Sequence, residues 1–382
     1  MNALMTQRSF PPAALITSAA ALRDLAAALA RQPLLAVDTE SNSLHAYREQ
    51  VCLVQLSTRS ADYIVDTLAI DDLSPLGALF ADPAVEKVFH AAEYDIICLK
   101  RDYGFTFVNL FDTMVAARIC GVQGFSLGGL VAARLGVALD KGHQLDDWGR
   151  RPLPASYLLY AQHDTHYLPA LRDVMRAELA AAGLLDEARE LFAEVCATAV
   201  PDTSFDPDGY WRIGRPQHLA PRELAILREL YLLREELAHQ RNRPPFKIVS
   251  NSVMVELARR APRTLAELEQ TPGISARQAA RDGSRLLAAV AAGAAAAPPR
   301  RPEREPSAAP EVLERYQALR EWRRGRADAR GVESDIILPK DTMWALAERA
   351  PASVAEMDGI AGLGPWRLAS YGAELLRVLH GQ

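Results

Sequence analysis

The sequence predicts a mixed α/β domain of roughly 200 residues followed by two copies of one small all-helical domain. Two features of the 382-residue chain carry this expectation. Strand-like and helix-like segments alternate through the first half. Beyond residue 210, two stretches separated by a proline-rich run agree with each other at a constant offset.

Ile16 to Ala30 reads as an amphipathic helix, with Thr17 or Ser18 as its N-cap and an alanine-rich body. Three short runs of strand type follow: Leu34–Asp38, Val51–Leu56 and Tyr63–Asp66. Polar stretches separate them, which predicts consecutive antiparallel strands. Helix-like segments and a further strand, Lys87–Phe89, complete an α/β domain over residues 1–200. Pro201–Gly209 is rich in turn formers and marks a boundary. The run AAGAAAAPPRRPEREPSAAP, Ala291 to Pro310, has no apolar periodicity and much proline, as a semi-extended linker would. Around it, Leu257–Pro262 (LARRAP) recurs as Leu346–Pro351 (LAERAP), 89 residues further on. At that offset Leu230 meets Leu319, Arg234 meets Arg323 and Met254 meets Met343, while Gly273 and Gly283 meet Gly362 and Gly372. Alanine-rich helices agree easily by chance; glycines and prolines in register do not. The expected division is an α/β domain at 1–200, helical domains at 214–292 and 310–382, and a linker at 293–309.

Composition excludes several classes. At 49% hydrophobic and 24% charged residues the chain is neither fibrous nor wholly disordered. A net charge of −5 argues against a basic coat protein, though an average hides local patches. Cys52, Cys98, Cys120 and Cys196 are scattered, with no CxxC pair, which fits reduced thiols rather than a disulfide framework or a zinc site. The N-terminal residues lack a signal layout, and no apolar run approaches the ~20 residues of a membrane helix. A soluble, cytoplasmic protein is expected.

The most informative local feature is Asp38-Thr39-Glu40 at the end of an apolar strand. Residues two apart on a strand share a face, so both carboxylates project together. Two carboxylates about 4 Å apart repel by roughly 4 kcal/mol at an effective dielectric near 20. Protonation of one, or a cation, must offset that; for hard oxygen ligands a divalent metal is the usual answer. Two further segments strengthen the pattern. Asp95 sits among apolar residues near the start of a helix, where its ordinary role would be in the first turn. Tyr160 and Asp164 stand four apart on another helix, hence on one face.

In this order the three segments resemble the DEDD superfamily of 3′→5′ exonucleases, with Asp38 and Glu40 as first motif, Asp95 as second and Tyr160-x3-Asp164 as third. The tyrosine sets the subclass: histidine-using relatives carry a His at the position of Leu159. The run from Lys141 through Gln144, Asp147, Trp148 and Arg151 to Leu153 is similar to the ribonuclease D family, and the repeated unit resembles the HRDC domain, a helical nucleic-acid-binding module. The resemblance implies a ribonuclease H-like domain with a mixed sheet followed by two HRDC-like domains. It implies that Asp38, Glu40, Asp95 and Asp164 hold two Mg2+ or Mn2+ ions, which clamp the attacking and leaving oxygens of an in-line displacement at phosphorus. Tyr160, with an ordinary pKa near 10, would orient the attacking water, and Glu40 would also accept the terminal 3′-hydroxyl. The activity implied is a 3′–5′ exoribonuclease releasing nucleoside 5′-monophosphates, acting on tRNA precursors and structured RNA as a monomer without an obligatory protein partner. A 3′–5′ exonuclease of single-stranded DNA and a catalytically silent RNA-binding adaptor are the competing readings.

Other conspicuous residues have simpler roles. Asp112 and Ser126 read as helix caps, and Cys52 and Cys98 as core. Trp148 with Arg151-Pro152-Leu153 braces the entry to the tyrosine-bearing helix. His90 has either a substrate or a core role. On family grounds Lys141 and Gln144 are phosphate contacts, their alternative being a solvated loop. Arg228, Arg234, Arg241, Arg243 and Lys247 form a basic cluster in the first repeat. Arg315, Arg320, Arg323, Arg324, Arg326 and Arg330 form a denser one in the second, where Arg323 and Arg324 are the candidate RNA contacts.

Overall fold

The computed structural model describes residues 10–140, 142–215, 218–302 and 307–381. Two compact units result: one comprises 1–41, 51–200 and 306–382, the other 42–50 and 201–305. The second helical domain therefore folds with the α/β domain, and the first helical domain with a short loop borrowed from it. Among the described residues no helix is long and apolar enough to cross a membrane.

In the first unit, β1 (Ala14–Ile16), β2 (Leu34–Ser41), β3 (Val51–Ser57), β4 (Asp62–Asp66), β5 (Glu86–Phe89) and β6 (Leu110–Asp112) form one mixed sheet. Their order is β1-β4-β3-β2-β5-β6. The pairs β2–β3 and β3–β4 are antiparallel, as the sequence predicts, while β5, β6 and β1 add in parallel. Two strands escape sequence reading because three residues are too few to show a period. Ile16, expected in a helix, closes β1. Helix α1 (Ala19–Leu29) starts only after Ser18, whose hydroxyl accepts the Ala21 N–H at 3.3 Å.

The remaining helices are α2 (Ser74–Ala81), α3 (Glu93–Tyr103), α4 (Thr113–Ile119), α5 (Leu127–Leu135), α6 (Ala155–His166), α7 (Leu168–Ala181) and α8 (Leu185–Ala197). Helix α6 covers one face of the sheet, where Tyr160 and Ala161 pack on Leu53 and Ile64. The larger core gathers Val37, Leu56 and Val88 of the sheet with Ile96, Leu171 and Phe192 from α3, α7 and α8. None of the four cysteines forms a disulfide, and Cys52 and Cys98 are buried as expected.

The helical repeat is confirmed by geometry. The first copy consists of α9 (Pro221–Arg241), α10 (Pro245–Ile248), α11 (Asn251–Arg260), α12 (Leu265–Glu269) and α13 (Ala276–Ala295). The second consists of α14 (Pro310–Arg330), α15 (Ser334–Ile337), α16 (Lys340–Arg349) and α17 (Pro365–Leu379). Ala261 and Ala350, 89 apart, end α11 and α16 in the same left-handed conformation, φ 44° in both. Helix α13 runs to Ala295, so the linker starts at Ala296 rather than 293. Alanine is the strongest helix former, and Gly293 lets α13 approach α9 so closely that a Cβ there would lie 2.4 Å from Ile226 Cα.

In the second unit, Tyr47 of the borrowed loop donates its N–H to Asn242 Oδ1 at 3.1 Å and its hydroxyl to Glu235. In the first unit, the second helical copy is fastened to α8 by buried charge. Glu187 accepts both guanidinium nitrogens of Arg330 at 2.8 Å. Glu190 accepts the Trp366 N–H at 2.6 Å at the start of α17, and Glu194 pairs with Arg367. Arg118 of α4 reaches Glu333 and Asp335 at 2.7 and 2.6 Å.

Asp112 caps α4 as read, accepting the Met114 and Val115 N–H groups at 2.8 and 3.1 Å. It also accepts the N–H groups of Ala91 and Ala92 at 3.1 and 2.7 Å, holding the turn before α3, in which Ala91 adopts φ 62°. Asp112→Ala would leave four buried or half-buried donors unmet and should cost about 2–4 kcal/mol in urea unfolding. A loss no larger than that of an ordinary surface substitution would show that Asp112 does not hold this turn.

Candidate active site

Strand β2 delivers Asp38 and Glu40 to the face that α6 covers. Cross-strand partners share a face, and Glu40 opposes Leu53, which packs against Tyr160. The register shifts between Glu40 and Ser41, so regular pairing stops as the carboxylates emerge. From above, α6 supplies Tyr160 and Asp164 one turn apart. One carboxylate oxygen from each of Asp38, Glu40 and Asp164 lies within 4.8 Å of the others. Asp95, on α3, is buried, and its carboxylate accepts the hydroxyl of Thr39, which points to the opposite face from its two acidic neighbours. Asp95 stands just outside the three-carboxylate cluster yet within its electrostatic reach.

The charges are poorly compensated. Among the described residues no lysine, arginine or histidine is ion-paired with any of the four. Burial, then the charge of Asp164, pushes the Asp38 carboxyl well above the ordinary range. Burial and the Asp38 charge do the same to Asp95. Glu40 is raised by burial and by Asp38, Asp164 and Asp95. Burial raises Asp164 to about 7, against the hydrogen bond it receives from Tyr160. An all-oxygen cluster that resists ionisation for want of positive charge fits a hard divalent cation.

Tyr160 is itself pushed far above its ordinary value by burial and by the charges of Asp164, Glu40 and Asp38. It therefore stays a phenol, able to donate. Gln144 hydrogen-bonds to its oxygen, although its own side chain is exposed. Trp148 is buried behind this tyrosine, ring centroids 5.2 Å from Tyr157 and 6.0 Å from Tyr160, which is the bracing role read for it. Arg151 anchors the same segment through paired hydrogen bonds of 2.7 and 2.6 Å to Asp66.

The remaining expected residues fare differently. His90 is half-buried with Nδ1 3.0 Å from Thr113 Oγ1, and burial lowers its pKa. Lys141 lies outside the described residues. Arg323 donates to the Leu338 carbonyl at 3.0 Å, as Arg234 does to Val249 in the first copy, so this position ties each repeat together internally. Arg315, Arg326 and Arg330 are likewise engaged, with Ala347 O, Glu374 and Glu187. Arg324 and Arg320 are exposed. The sequence reading missed Thr39 as an Asp95 donor and Asp112 as the clamp on the Ala91 turn. Thr39 sits between two motif residues, and strand alternation was the available signal.

Residues 13–180 match the model of a 3′-5′ exonuclease, and residues 223–290 and 312–379 each match the HRDC domain. Fold and acidic cluster together define a 3′–5′ exonuclease of DEDD type. The chain is 33% identical to ribonuclease D of Acidiphilium cryptum over 98% of its length and 95% of the relative's, and 31% identical to that of Granulibacter bethesdensis over 98% and 94%. It belongs to the ribonuclease D family and is a hydrolytic exoribonuclease. It superposes on the crystal structure of Escherichia coli RNase D, described as an exoribonuclease involved in structured RNA processing, with TM-score 0.68 and 25% identity over 97% of this chain and 99% of that one. Mouse exosome complex component 10 is 36% identical over 60% of this chain and 27% of its own.

The raised carboxyl groups set a pH dependence. For Asp164 the folded protein keeps its proton up to about 7, whereas the unfolded chain releases it near 3.8. Stability without metal should therefore be greatest below that interval and fall as pH rises through it. Divalent cations bind the ionised groups, so their affinity should rise over the same interval with release of protons. Calorimetric Mn2+ titrations in buffers of different ionisation enthalpy check both; a proton-neutral, pH-independent affinity would contradict the raised carboxyls.

Proposed function

We propose that the enzyme removes nucleotides one at a time from the 3′ end of RNA, with Asp38, Glu40, Asp95 and Asp164 as the ligands of two Mg2+ or Mn2+ ions. The convergence of three carboxylates from β2 and α6, without a compensating cation, carries this reading. When bound, such ions supply a deprotonated water as nucleophile and neutralise charge on the departing 3′-oxygen. The residues of the chain do the rest. Tyr160, held by Gln144 on one side and bonded to Asp164 on the other, orients the attacking water by hydrogen bonding. Glu40, at the mouth where strand pairing ends, accepts the terminal 3′-hydroxyl and so restricts cleavage to chain ends. Water adds to the last phosphodiester, the P–O3′ bond breaks, and a nucleoside 5′-monophosphate leaves. His90 lies before the second motif and contacts substrate phosphate at the rim. Structured RNA, including tRNA precursors, is the substrate favoured by family membership and by the description of the E. coli relative.

Matched RNA and DNA oligonucleotides incubated with Mg2+ or Mn2+ should yield mononucleotides from RNA. Hydrolysis of DNA alone, or binding without hydrolysis, would overturn the assignment. In the same assay Tyr160→Phe should lower turnover by about 10²–10⁴-fold while Mn2+ affinity stays close to that of the parent. Undiminished turnover would remove Tyr160 from the mechanism.

Arg320 and Arg324 stand one turn apart on α14 and are exposed. They are the proposed phosphate contacts of the second helical domain. Replacing both by alanine should reduce the dependence of RNA affinity on salt by about 0.7 per lost contact in the log–log slope, without changing hydrolysis of a dinucleotide. An unchanged slope would make this face a structural one.

A further inference from the structure

Gln55 is a polar member of the sheet floor beneath α6 that the proposed chemistry does not use. It lies at the centre of a cross-strand row, opposite Asp38 on β2 and Ile64 on β4. Directly opposed residues share a face, with Cβ atoms about 4.5–5.5 Å apart. The adjoining rows fix which face this is: Leu53, opposite Glu40, packs against Tyr160, and Ser57, opposite Ala36, has its hydroxyl 2.7 Å from that of Thr165 on α6. Gln55 therefore sits under α6 beside the Asp38 carboxylate.

Its side chain is fully buried, and among the described residues neither amide atom has a hydrogen-bond partner. The neighbouring polar groups show what this floor normally demands. Gln162, also buried, accepts from Ala13 N at 3.1 Å and donates to Pro11 O and Asp62 at 2.8 and 2.7 Å. A leucine or methionine at position 55 would fill the same space without stranding a polar group, so stability alone gives no reason for an amide. Its position next to Asp38 does. Carboxylates that ligate metals are themselves held by hydrogen bonds that fix their orientation, and among the described residues Asp38 has a backbone donor, the Thr39 N–H, but no side-chain donor. A neutral amide suits the place better than a cation, which would compete with metal for the same charge.

We propose that Gln55 is a positioning residue, whose buried amide N–H, unpartnered in this structure, donates to the Asp38 carboxylate when a divalent cation is bound and orients it toward the ion. This rests on the metal-ligand role assigned to Asp38 above, and it places a determinant of metal affinity on β3, outside the acidic motifs. Two isosteric variants and one measurement on the unaltered enzyme test it. Gln55→Met and Gln55→Leu in the full chain should bind Mn2+ about 10–100-fold more weakly by calorimetry, while the metal-free variants melt at or above the parent temperature. In the parent, labelled with 15N-glutamine, the Gln55 side-chain amide resonance, assigned by its loss in Gln55→Met, should shift and exchange more slowly on adding Mg2+.

Parent-like metal affinity in both variants, or an amide resonance that saturating Mg2+ leaves in place, would overturn the proposal while leaving the acidic site intact. Failure of the parent to bind either ion would instead overturn the metal reading and this proposal with it. Should Gln55→Leu fail to fold, Gln55→Met and the resonance of the parent still decide.

Discussion

Like-charge repulsion among buried and half-buried carboxylates is the constraint around which this molecule is arranged. Asp38, Glu40 and Asp164 have oxygens within 4.8 Å of one another, and Asp95 approaches from the other side of the strand. Such a cluster disperses unless something holds it, and each holder can be named. Sheet pairing fixes Asp38 and Glu40, the packing of α6 on Leu53 and Ile64 fixes Asp164, and Thr39 and the Asp112-clamped turn fix Asp95. Burial and the same charges explain why Tyr160 is a donor: in a buried setting, three nearby acids make a phenolate prohibitive.

Much of this was legible in the residues. Asp38-x-Glu40 at the end of an apolar strand required a shared face by strand periodicity alone, and Tyr160-x3-Asp164 did so by helical periodicity. The antiparallel trio β2–β4 followed from alternating apolar runs with polar breaks. The strands β1 and β6 did not, because three-residue strands leave no period to detect, and Asp112 showed only its local capping role. Its second pair of donors, on Ala91 and Ala92, lies in the turn after β5, a strand that is its neighbour in space and not in sequence. Gln55 was invisible for the same reason: an apolar run with one glutamine gives no hint that the amide faces an acidic partner.

The repeat shows how one helical plan can diverge without losing its frame. Arg234 and Arg323 make the same internal hydrogen bond, and Ala261 and Ala350 the same left-handed stop. What differs is the outer surface. In the second copy Glu333, Asp335, Arg330 and Arg367 are occupied with carboxylates and guanidinium groups of the α/β domain. The corresponding residues of the first copy include Pro244 and an exposed Phe246. A count of arginines thus overstates the basic surface of the second domain, since Arg315, Arg323 and Arg326 are engaged within it and Arg330 with Glu187.

The loop at 42–50 has a practical bearing on how the protein can be dissected. It joins the two strands that carry Asp38, Glu40 and Gln55, yet it folds with helices encoded after residue 200, where Tyr47 finds Glu235 and Asn242. A shortened polypeptide ending at Val200 would keep Tyr47 and discard what it is bonded to, leaving a frayed hairpin directly beside the acidic residues. Order along the gene and order in the folded body are not the same here, and cloning boundaries drawn from the former cut through the latter.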